Sequence, residues 1–519
     1  MIAAPTTSPT HRVRLAELAA GLVEAPAGIE ISDLTLDSRA VGPGALFLAC
    51  RGHGRHGAEF TGEALARGAR AVLYESSPGA SEWVEAGLRG LARDESSGPR
   101  DAFVAPVPEL SRHAGTIADR FFGRPSQSLT VAGITGTNGK TTCAWLLAQA
   151  LGQCGRPAAY MGTLGAGFPQ ALSATEHTTS DAVTVHRRLA AMRALGAEAL
   201  SMEVSSHALD QDRVAGVRFH TAAFTNLTRD HLDYHGSMAA YAEAKARLFS
   251  WPGLAVRVIN VDDELGARLA GQLSAAQLVI TRRTSATPTP SQARGVRAVR
   301  VETAVSGLLI DVESSWGAAK LGMPLIGEFN ADNALTVLAV LLAWDIPLTE
   351  AIAALESCRA APGRMEAFGG RGAQPLAIVD YAHTPDALAK ALRAARRHCR
   401  GSLRVVFGCG GDRDPGKRPM MGWICAELAD ESVITDDNPR SEPPEQIVRQ
   451  IMTGIPSGAA SRVEHDRALA IGATLRRSGP EDVVLIAGKG HEAYQIYGVE
   501  RRPFSDQSVA RAVLEAMRP

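Results

Sequence analysis

Residues 131–142 read VAGITGTNGKTT, and this stretch decides the fold of the chain around it. The apolar residues 129–134 predict a buried strand, and residues 141–151 predict a helix that begins where the glycines end. A glycine-rich loop between a strand and a helix suits phosphate binding, because its backbone N–H groups can surround an anion. The stretch therefore predicts a nucleotide-binding α/β domain.

Two side chains in this loop match the needs of a bound triphosphate. Lys140 adds a positive charge, and the hydroxyl of Thr141 is suited to ligate magnesium. The usual phosphate-loop spacing would place its first glycine where this chain has Ile134, and the nearest glycine, Gly133, comes one residue earlier. The loop is thus a variant, and a glycine-rich loop that only caps a helix is the alternative interpretation.

The composition argues against several classes of protein. A length of 519 residues predicts about three domains. The formal net charge of −1 provides no field that would attract nucleic acid or an anionic membrane. Seven scattered cysteines favour a reducing cytoplasm, and we find neither an export signal nor an apolar run of about eighteen residues. We expect a cytoplasmic monomer that binds neither nucleic acid nor membranes.

Residues 1–110 are predicted to form an N-terminal domain of short α/β elements. The apolar run 45–49 predicts a strand, with polar loops at residues 36–39 before it and 51–57 after it. Two hydrogen-bonding loops beside one strand can hold a ligand, although Asp-Ser-Arg is also common in ordinary turns. Residues 76–100 are rich in Ser, Gly and Glu, and we expect a variable surface segment there.

Residues 111–361 are predicted to form a central domain with a parallel sheet covered on both faces. Polar residues follow two predicted strands, at Glu203 and at residues 225–233, where open α/β sheets bind ligands. Glu203 offers a hard oxygen ligand for magnesium, and His231 is either a further ligand or an ordinary surface residue. A zinc site at His231 and His235 lacks a third ligand at a recognisable spacing.

Residues 238–249 predict a helix in which Lys245 interrupts an otherwise apolar face with Tyr241 and Leu248. Lys245 either extends along the helix to solvent or points into the site. An inward cation would repel metal ions, so it would have to meet phosphate or be modified. Carbamylation by carbon dioxide would convert it into an anionic oxygen ligand, and the sequence leaves these alternatives open.

The rest of the central domain carries one more candidate contact. Residues 281–297 predict a loop, and residues 327–333 open a long apolar helix over residues 334–342. Asn330 lies at this opening, where helix amides favour an anion, so it either faces a nucleotide or caps the helix.

Residues 362–519 are predicted to form a third domain in which four strands each end in a polar cluster. The predicted strands are residues 376–379, 403–407, 432–435 and 483–487. The polar clusters that follow them are residues 380–385, 410–414, 436–440 and 488–492. Because the carboxyl ends of parallel strands share one edge, we predict a doubly wound sheet with a site of its own.

From about residue 36 to its C-terminus, the chain resembles the Mur ligases of bacterial cell-wall synthesis. The motifs that carry the resemblance are residues 133–142 (GITGTNGKTT), 203–207 (EVSSH), 230–236 (DHLDYHG), 381–385 (YAHTP) and 437–440 (DNPR). The variant phosphate-loop spacing of this chain is the spacing found in that family. The resemblance implies a three-domain α/β architecture, with a central P-loop-type parallel sheet domain and a C-terminal Rossmann-like domain.

The resemblance also implies an activity. Ligases similar to this chain use ATP to add meso-diaminopimelate to the D-glutamate of UDP-MurNAc-L-Ala-D-Glu, through an acyl phosphate, in peptidoglycan precursor synthesis. Lysine-adding relatives differ at the position of Arg440, whose guanidinium suits the distal carboxylate of diaminopimelate.

Three rival hypotheses remain. The first is a lysine-adding or folylpolyglutamate-synthetase-like ligase, and the second is a P-loop ATPase. The third is a dinucleotide-binding oxidoreductase using residues 407–411, which lack G-x-G-x-x-G spacing.

Individual positions take roles from the same resemblance. Contacts to ATP are implied for Gly136, Thr137, Asn138, Gly139, Lys140, Thr141, Thr142, Asn330, Arg364, Asp380 and His383. For the UDP-muramoyl dipeptide, contacts to the uridine diphosphate are implied for Leu36, Ser38, His53, Gly54 and Arg55, and contacts to the muramoyl dipeptide for Thr178, Thr179, Ser205, Gln211 and Arg213. Contacts to diaminopimelate are implied for Arg413, Asp437, Asn438, Pro439, Arg440, Gly488 and Glu492.

The resemblance further implies a catalytic set with two magnesium ions. The catalytic residues would be Lys140, Glu203, His231 and Lys245. Thr141 and Glu203 would hold one ion, whereas His231 and Lys245, carbamylated to N6-carboxylysine, would hold the second. One position departs from the pattern, since His177 stands where relatives have asparagine before the paired threonines.

Overall fold

A computed structural model of the protein describes residues 11–52, 54–92, 101–175, 177–284, 292–304 and 307–517. By its packing the chain divides into two compact units. Unit 1 comprises the described residues of Met1–Lys140 and Gly155–Arg257, and unit 2 comprises those of Thr141–Cys154 and Val258–Pro519. The domain boundaries after residues 110 and 361 remain predictions.

The first sheet of unit 1 is parallel and is built from short apolar runs. A small antiparallel pair precedes it, formed by β1 (Val13–Arg14) and β2 (Glu30–Ile31). The strands of the parallel sheet pair in chain order. They are β3 (Asp33–Thr35), β4 (Ala45–Ala49), β5 (Ala71–Glu75) and β6 (Phe103–Val107). The helices of this region are α1 (Leu15–Leu18), α2 (Thr61–Ala66), α3 (Ala80–Ala92) and α4 (Leu110–Phe121). The predicted strand at residues 45–49 is confirmed.

Within the predicted variable surface segment at residues 76–100, residues 80–92 form the helix α3, most of whose residues are exposed, while residues 93–100 lie outside the described part. Val84 of this helix is buried at 5% exposure. A Cβ on Gly87 would lie 2.8 Å from the backbone nitrogen of Gly62 in α2, so the two helices approach closely. Glycine weakens helix propensity but permits this contact, which is why the sequence pattern concealed the helix.

The second sheet of unit 1 carries the phosphate loop. Its strands are β7 (Thr130–Thr135), β8 (Ala158–Gly162), β9 (Gly165–Phe168), β10 (Ala171–Ser173), β11 (Ala199–Glu203) and β12 (Thr221–Phe224). They lie in the order β10-β9-β8-β11-β7-β12, with β8, β11, β7 and β12 parallel. The helices that begin in this part of the chain are α5 (Lys140–Gln153), α6 (Ala182–Ala194), α7 (Ser206–Asp210), α8 (Leu232–His235) and α9 (Met238–Ala246). The strand, loop and helix predicted around residues 131–142 are thus confirmed.

Unit 2 contains a run of five strands that ends in an antiparallel meander, and the sequence did not predict the meander. The five strands lie in chain order and are β13 (Val256–Asn260), β14 (Leu278–Arg282), β15 (Arg294–Ala304), β16 (Gly307–Ser314) and β17 (Gly317–Met323). β15, β16 and β17 pair antiparallel. The predicted loop at residues 281–297 is therefore wrong at both ends, and its residues 285–291 lie outside the described part. In β15, Val296 and Ala298 are buried, and charged residues lie on the exposed face. Because these charged residues break up the apolar pattern, the sequence did not indicate a strand here.

Three helices accompany this meander, and one of them is nearly all apolar. They are α10 (Glu264–Gln272), α11 (Phe329–Ala343) and α12 (Leu348–Ser357). α11 begins five residues before the predicted start at residue 334 and has 15 residues. Within the described ranges, no helix is long and apolar enough to cross a membrane.

The C-terminal sheet confirms the four predicted strands to within about one residue. Its strands are β18 (Glu366–Gly369), β19 (Leu376–Asp380), β20 (Leu403–Phe407), β21 (Glu431–Ile434), β22 (Ser461–Val463) and β23 (Val483–Ala487), and a separate hairpin joins β24 (Tyr494–Tyr497) to β25 (Glu500–Pro503). The order is β18-β19-β23-β20-β21-β22, and every pair except β18–β19 is parallel.

Helices cover both faces of this sheet, as a doubly wound fold requires. They are α13 (Pro385–Arg396), α14 (Lys417–Leu428), α15 (Pro444–Met452), α16 (Arg467–Arg476) and α17 (Asp506–Ala516). Leu388 of α13 and Met421 of α14 pack with one face of the strands, whereas Ile471 of α16 and Leu514 of α17 pack with the other. The carboxyl ends of the parallel strands therefore share one edge, where the polar clusters stand.

Candidate active site

The phosphate loop, residues 136–139, joins β7 to α5 and packs against the residues that follow β12. The N–H of Thr137 donates to the carbonyl of Asn226 at 2.7 Å. Gly136 has φ +148°, and a Cβ there would lie 1.9 Å from the hydroxyl oxygen of Thr225. Only glycine avoids this clash, so contacts within the protein fix the path of the loop.

Lys140 bends back over the loop. Its Nζ donates to the carbonyls of Gly136 at 2.8 Å and Thr137 at 2.9 Å. The N–H of Asn138 donates to Oδ1 of Asn226 at 3.0 Å, which holds the tip of the loop. The fixed positive charge of Lys140 thus lies against the backbone that is predicted to surround the phosphates.

The remaining predicted phosphate contacts lie at the start of α5. Gly139 has φ +86°, the left-handed conformation that favours glycine. Thr141 is buried and Thr142 is half-buried, both in the first turn of the helix. The N-terminus of a helix favours negative charge, which agrees with the predicted role of this turn.

Lys245 points into the protein, so the alternative in which it extends to solvent is wrong. It is 1% exposed, its Nζ donates to the carbonyl of Gly136 at 2.9 Å, and it lies 4.4 Å from the ring centre of Tyr241. Burial lowers the pKa of Lys245 well below its ordinary value, and the charge of Lys140 lowers it further, while Asp230 acts in the opposite direction. A lysine with a lowered pKa is available as a neutral amine, the form that reacts with carbon dioxide.

Glu203 ends β11 with a buried carboxylate that neighbouring donors orient. The N–H of Thr163 donates to it at 2.9 Å, the hydroxyl of Thr163 donates at 3.2 Å, and the hydroxyl of Tyr160 also donates. A Cβ on Gly162 would lie 2.2 Å from Oε1 of Glu203, so glycine makes room for the carboxylate. A carboxylate held in this way suits a hard cation such as magnesium.

Neither residue that orients Glu203 was predicted from the sequence. Thr163 directly follows β8, so the rule that polar residues gather at strand ends would have found it. Tyr160 lies inside a strand that is buried throughout, and a single aromatic residue there gives no sequence signal.

His231 precedes α8 with φ +52°, and its side chain is 46% exposed. Its ring centre lies 4.8 Å from that of His207 and 6.1 Å from that of Tyr241, the residue that also contacts Lys245. In the part of the chain that the structure describes, no group of three or more His, Cys, Asp or Glu side chains could hold a metal ion. The pairing of His231 with a modified Lys245 remains a prediction.

Four predicted muramoyl-dipeptide contacts form one hydrogen-bonded network beside Glu203. The hydroxyl of Thr179 donates to the carbonyl of Glu203 at 2.9 Å and accepts the N–H of Ser205 at 3.2 Å. Arg213 donates to the carbonyl of Thr179 at 3.0 Å and to Oε1 of Gln211 at 2.8 Å. The structure therefore brings Thr179, Ser205, Gln211 and Arg213 to the strand end that carries the candidate metal ligand.

Thr178 joins the same region through another hydroxyl. It accepts a hydrogen bond from the hydroxyl of Thr163 at 3.1 Å. The neighbouring His177 is exposed, so the departure from asparagine changes a solvent-facing side chain. Ser205 has a second role, because its hydroxyl accepts the N–H of Ala208 at 3.1 Å and caps α7.

The predicted uridine contacts follow two neighbouring parallel strands, β3 and β4, and so belong to one sheet edge. These residues are Leu36, Ser38, His53, Gly54 and Arg55, of which His53 lies outside the described residues. The buried hydroxyl of Ser38 donates to Glu63 at 2.9 Å, and Arg55 pairs with Glu59 at 2.8 Å. Arg55 also lies 4.3 Å from the ring centre of Phe60.

Asn330 lies in the first turn of α11 and does not cap it, so the capping alternative is wrong. Its Nδ2 donates to the carbonyl of Ile326 at 2.7 Å, and its Oδ1 accepts from Asn333 at 2.8 Å. The residue at the N-cap is Glu328, which makes no side-chain capping hydrogen bond. A nucleotide contact at Asn330, which is 3% exposed, remains a prediction.

The other predicted ATP contacts of unit 2 meet beside β19. The guanidinium of Arg364 lies 4.8 Å from the ring centre of Tyr381, and its buried Nε has no hydrogen-bond partner among the described residues. Asp380 accepts the N–H of Met365 at 2.8 Å, and burial raises the pKa of Asp380 even though Arg364 and this bond lower it. His383 is exposed, with Nδ1 2.9 Å from the carbonyl of Tyr381.

The predicted diaminopimelate contacts join two loops, one after β21 and one after β23. Gly488 has φ +117°, and a Cβ there would lie 2.7 Å from Oδ2 of Asp437. Nδ2 of Asn438 donates to Oε2 of Glu492 at 3.0 Å. The structure thus brings Asp437, Asn438, Gly488 and Glu492 into direct contact.

Arg440 is held in an uncommon backbone conformation at the same rim. Its φ is +53°, its N–H donates to the carbonyl of Ile496 at 3.0 Å, and its Nη1 donates to the carbonyl of Gly411 at 2.7 Å. A left-handed non-glycine residue costs roughly 1 kcal/mol, and such strain gathers at functional sites. A Cβ on Gly410 would lie 2.9 Å from Nη1 of Arg440 and 3.6 Å from Cγ of Arg413, so the two predicted arginines meet there.

The neighbours of Arg440 differ in exposure. Pro439 is buried, and a Cβ on Gly411 would lie 1.8 Å from its carbonyl oxygen. Arg413 is exposed and Arg440 is half-buried. The guanidinium groups therefore stand at the edge of the site, where a carboxylate from solution can reach them.

Three family models match the chain. They are described as Mur ligase family, catalytic domain (residues 30–94), Mur ligase middle domain (residues 134–341), and Mur ligase, glutamate ligase domain (residues 363–490). One match lies within each of the three predicted domains.

Curated relatives extend the similarity over nearly the whole chain. The UDP-N-acetylmuramoyl-L-alanyl-D-glutamate--2,6-diaminopimelate ligase of Alkalilimnicola ehrlichii is 48% identical over 489 residues, which covers 94% of this chain and 95% of that protein. The protein of the same name from Pseudomonas aeruginosa is 45% identical over 486 residues, with coverages of 94% and 95%.

Solved structures agree with this grouping. The structure of a UDP-N-acetylmuramoyl-L-alanyl-D-glutamate--2,6-diaminopimelate ligase is similar with a TM-score of 0.70 and 33% identity, covering 97% of this chain and 99% of that chain. Folylpolyglutamate synthase from Mycobacterium tuberculosis is similar in fold, with a TM-score of 0.56 and 18% identity over 79% of this chain and 96% of that one. The chain therefore belongs to the Mur ligase family, with its three domains, and within the family it groups with the UDP-N-acetylmuramoyl-L-alanyl-D-glutamate--2,6-diaminopimelate ligases.

Proposed function

We propose that this chain uses ATP to join meso-diaminopimelate to the D-glutamate of UDP-MurNAc-L-Ala-D-Glu, a step of peptidoglycan precursor synthesis. The observation that carries the proposal is an identity of 44–48% to relatives named for this ligase, over 94–95% of the chain. We further propose that the enzyme acts as a monomer in the cytoplasm, where both substrates would be small molecules.

The proposed reaction has two steps. The γ-carboxylate of D-glutamate is a poor acyl donor in water, so one of its oxygens first attacks the terminal phosphorus of ATP, giving an acyl phosphate and ADP. The amine of diaminopimelate then attacks the acyl carbon, loses its proton and displaces phosphate. Phosphoryl transfer depends on positioning and charge neutralisation, and we assign these roles to the phosphate loop and Lys140.

Magnesium, when bound, neutralises and orients phosphate oxygens. We propose that Thr141 and Glu203 hold one ion, and that His231 and carbamylated Lys245 hold the second. Two features of the residues fit a hard cation. Glu203 is a buried carboxylate oriented by Thr163, and the pKa of Lys245 is lowered by burial, which favours carbamate formation.

The remaining contacts are assigned by substrate. We propose that the network around Thr179 and Arg213 holds the muramoyl dipeptide, and that the loops after β3 and β4 hold the uridine diphosphate. Further contacts to ATP are proposed for Asn330, Arg364, Asp380 and His383. For diaminopimelate we propose Arg440 as the residue that reads the distal carboxylate, because a planar guanidinium binds a carboxylate through two parallel hydrogen bonds.

The deciding experiment measures phosphate release from ATP in the presence of UDP-MurNAc-L-Ala-D-Glu. We expect turnover with meso-diaminopimelate and little with lysine, and mass spectrometry should find the tripeptide product. Equal turnover with both amino acids would refute the selectivity assigned to Arg440. ATP hydrolysis that ignores the amino acid would indicate an ATPase, and absence of turnover with either amino acid would refute the ligase.

A further inference from the structure

Lys489 is a buried cation to which the proposed reaction gives no role. Its side chain is fully buried, at 0% exposure. Nζ donates to Oδ1 of Asn438 at 3.1 Å and to Oε2 of Glu492 at 2.9 Å, and lies 4.0 Å from Oδ1 of Asp437. The ammonium group therefore bridges the loop after β21 and the loop after β23.

The backbone around Lys489 directs this side chain inward. Gly488 has φ +117° and Gly490 has φ +53°, and both values are rare for residues with a side chain. A Cβ on Gly488 would lie 2.7 Å from Oδ2 of Asp437, and a Cβ on Gly490 would lie 2.7 Å from Cβ of Tyr381. The two glycines let the chain pass between these residues, so the burial of Lys489 follows from the shape of the loop.

The hydrogen bonds of Lys489 determine which atoms of its neighbours face a ligand. Oδ1 of Asn438 accepts from Lys489 and from the N–H of Ile496 at 3.0 Å, so the amide nitrogen of Asn438 turns toward Glu492. Oε2 of Glu492 accepts from both Lys489 and Asn438. Within the described residues, Oε1 is thus the oxygen of Glu492 that is left to accept a hydrogen bond from an ammonium group.

We propose that Lys489 is a positioning residue for the incoming amino acid. It holds the carboxylate of Glu492 and the amide of Asn438 in the orientations that bind the substrate, and it offsets the negative charge that Glu492 and Asp437 place beside a ligand with carboxylates of its own. This inference rests on the proposed function, because it takes the amino-acid site to be the one at these two loops.

The test is Lys489→Met, which keeps the length of the side chain and removes its charge. We expect the KM for meso-diaminopimelate to rise by about 30-fold, since hydrogen bonds to charged groups are lost. The KM values for ATP and UDP-MurNAc-L-Ala-D-Glu should stay within about twofold, because a change confined to one substrate site leaves the others intact. Lys489→Gln, which retains a neutral donor, should give an intermediate KM for diaminopimelate.

A matched control is Lys390→Met on α13, where an exposed lysine pairs with Asp386 at 2.6 Å. This variant should leave all three KM values unchanged. An unchanged KM for diaminopimelate in Lys489→Met, or equal losses for all three substrates, would overturn the inference. Failure of both Lys489 variants to fold would make the residue structural and would overturn it as well. A wild-type enzyme without turnover on diaminopimelate would refute the proposed function itself, which separates the two failures.

Discussion

Lys245 and Lys489 are both buried lysines, but their surroundings differ in charge. Lys245 donates to a backbone carbonyl and has Lys140 as a neighbour, and among the described residues no carboxylate lies within hydrogen-bond distance of it. Lys489 donates to the carboxylate of Glu492 at 2.9 Å. A buried ammonium without a paired anion is costly, so it tends to lose its proton, whereas a paired one can remain a cation.

The two lysines illustrate two uses of one residue type. In the proposed reaction, Lys245 reacts with carbon dioxide and serves phosphoryl transfer. Lys489, as inferred above, holds other side chains in the third domain. Changes at the first residue should therefore reduce kcat, and changes at the second should raise the KM of a single substrate.

The largest effect is expected for Lys245→Ala. Removal of this proposed magnesium ligand should lower kcat by about 1000-fold or more, as measured by phosphate release. Added short-chain carboxylates should restore part of the rate, because they supply the oxygen ligand that the carbamate would provide. The exposed Lys390→Ala should behave as wild type. If Lys245→Ala kept full activity, the buried lysine would be only a packed side chain and the contrast with Lys489 would disappear.

A second prediction tests whether the stability of the protein requires a paired carboxylate beside a buried cation in the third domain. Arg467 and Asp506 are both fully buried and pair at 2.7 Å, and Arg467 also donates to the carbonyl of Ala487 at the end of β23. Asp506→Ala should lower the free energy of unfolding by about 3 kcal/mol in urea titrations, because it leaves an unpaired buried charge.

The matched control removes the exposed partner of Lys390. Asp386→Ala should cost no more than about 0.5 kcal/mol, since exposed ion pairs contribute little. The double variant Arg467→Met/Asp506→Leu should recover most of the stability, because apolar residues can replace a buried pair. Equal stability of Asp506→Ala and wild type would show that a buried cation here needs no anion.

A third prediction concerns the choice of amino acid at the rim that Lys489 supports. Arg440→Lys should lower kcat/KM for meso-diaminopimelate by about 30-fold, because an ammonium cannot form the two parallel hydrogen bonds of a guanidinium. Turnover with lysine should change far less. The control is Arg449→Lys on α15, which is exposed. An unchanged ratio of rates on the two amino acids would remove Arg440 as the selective residue.

The sequence predicted the elements whose local pattern is strong. β7, α5 and the four C-terminal strands were found because short apolar runs end in glycine or polar clusters. α3 was missed because Gly87 lowers its helix propensity while serving a contact with Gly62. The meander of β15, β16 and β17 was missed because charged residues on its exposed face break up the alternation.

The sequence predicted which positions belong to the site, but it did not predict the directions in which their side chains point. Periodicity placed Lys245 on the apolar face of α9, yet only packing against Gly136 shows that it turns inward. Lys489 stood within the predicted cluster at residues 488–492, but its direction depends on contacts with Asp437 and Tyr381, which are distant in sequence. Such contacts between remote segments leave no local signal.

The mildest test leaves the rate untouched and compares the two lysines directly. Carbon-13 bicarbonate should give a carbamate signal in wild type and in Lys489→Met, and none at this position in Lys245→Ala. An ordinary lysine, with a pKa of about 10.4, is almost fully charged at neutral pH. Because burial lowers the pKa of Lys245, more of its amine should be neutral at neutral pH than in an ordinary lysine, and the signal should grow as the pH rises. A signal that survives in Lys245→Ala, or vanishes in Lys489→Met, would place the reactive amine elsewhere and reverse the roles assigned to the pair.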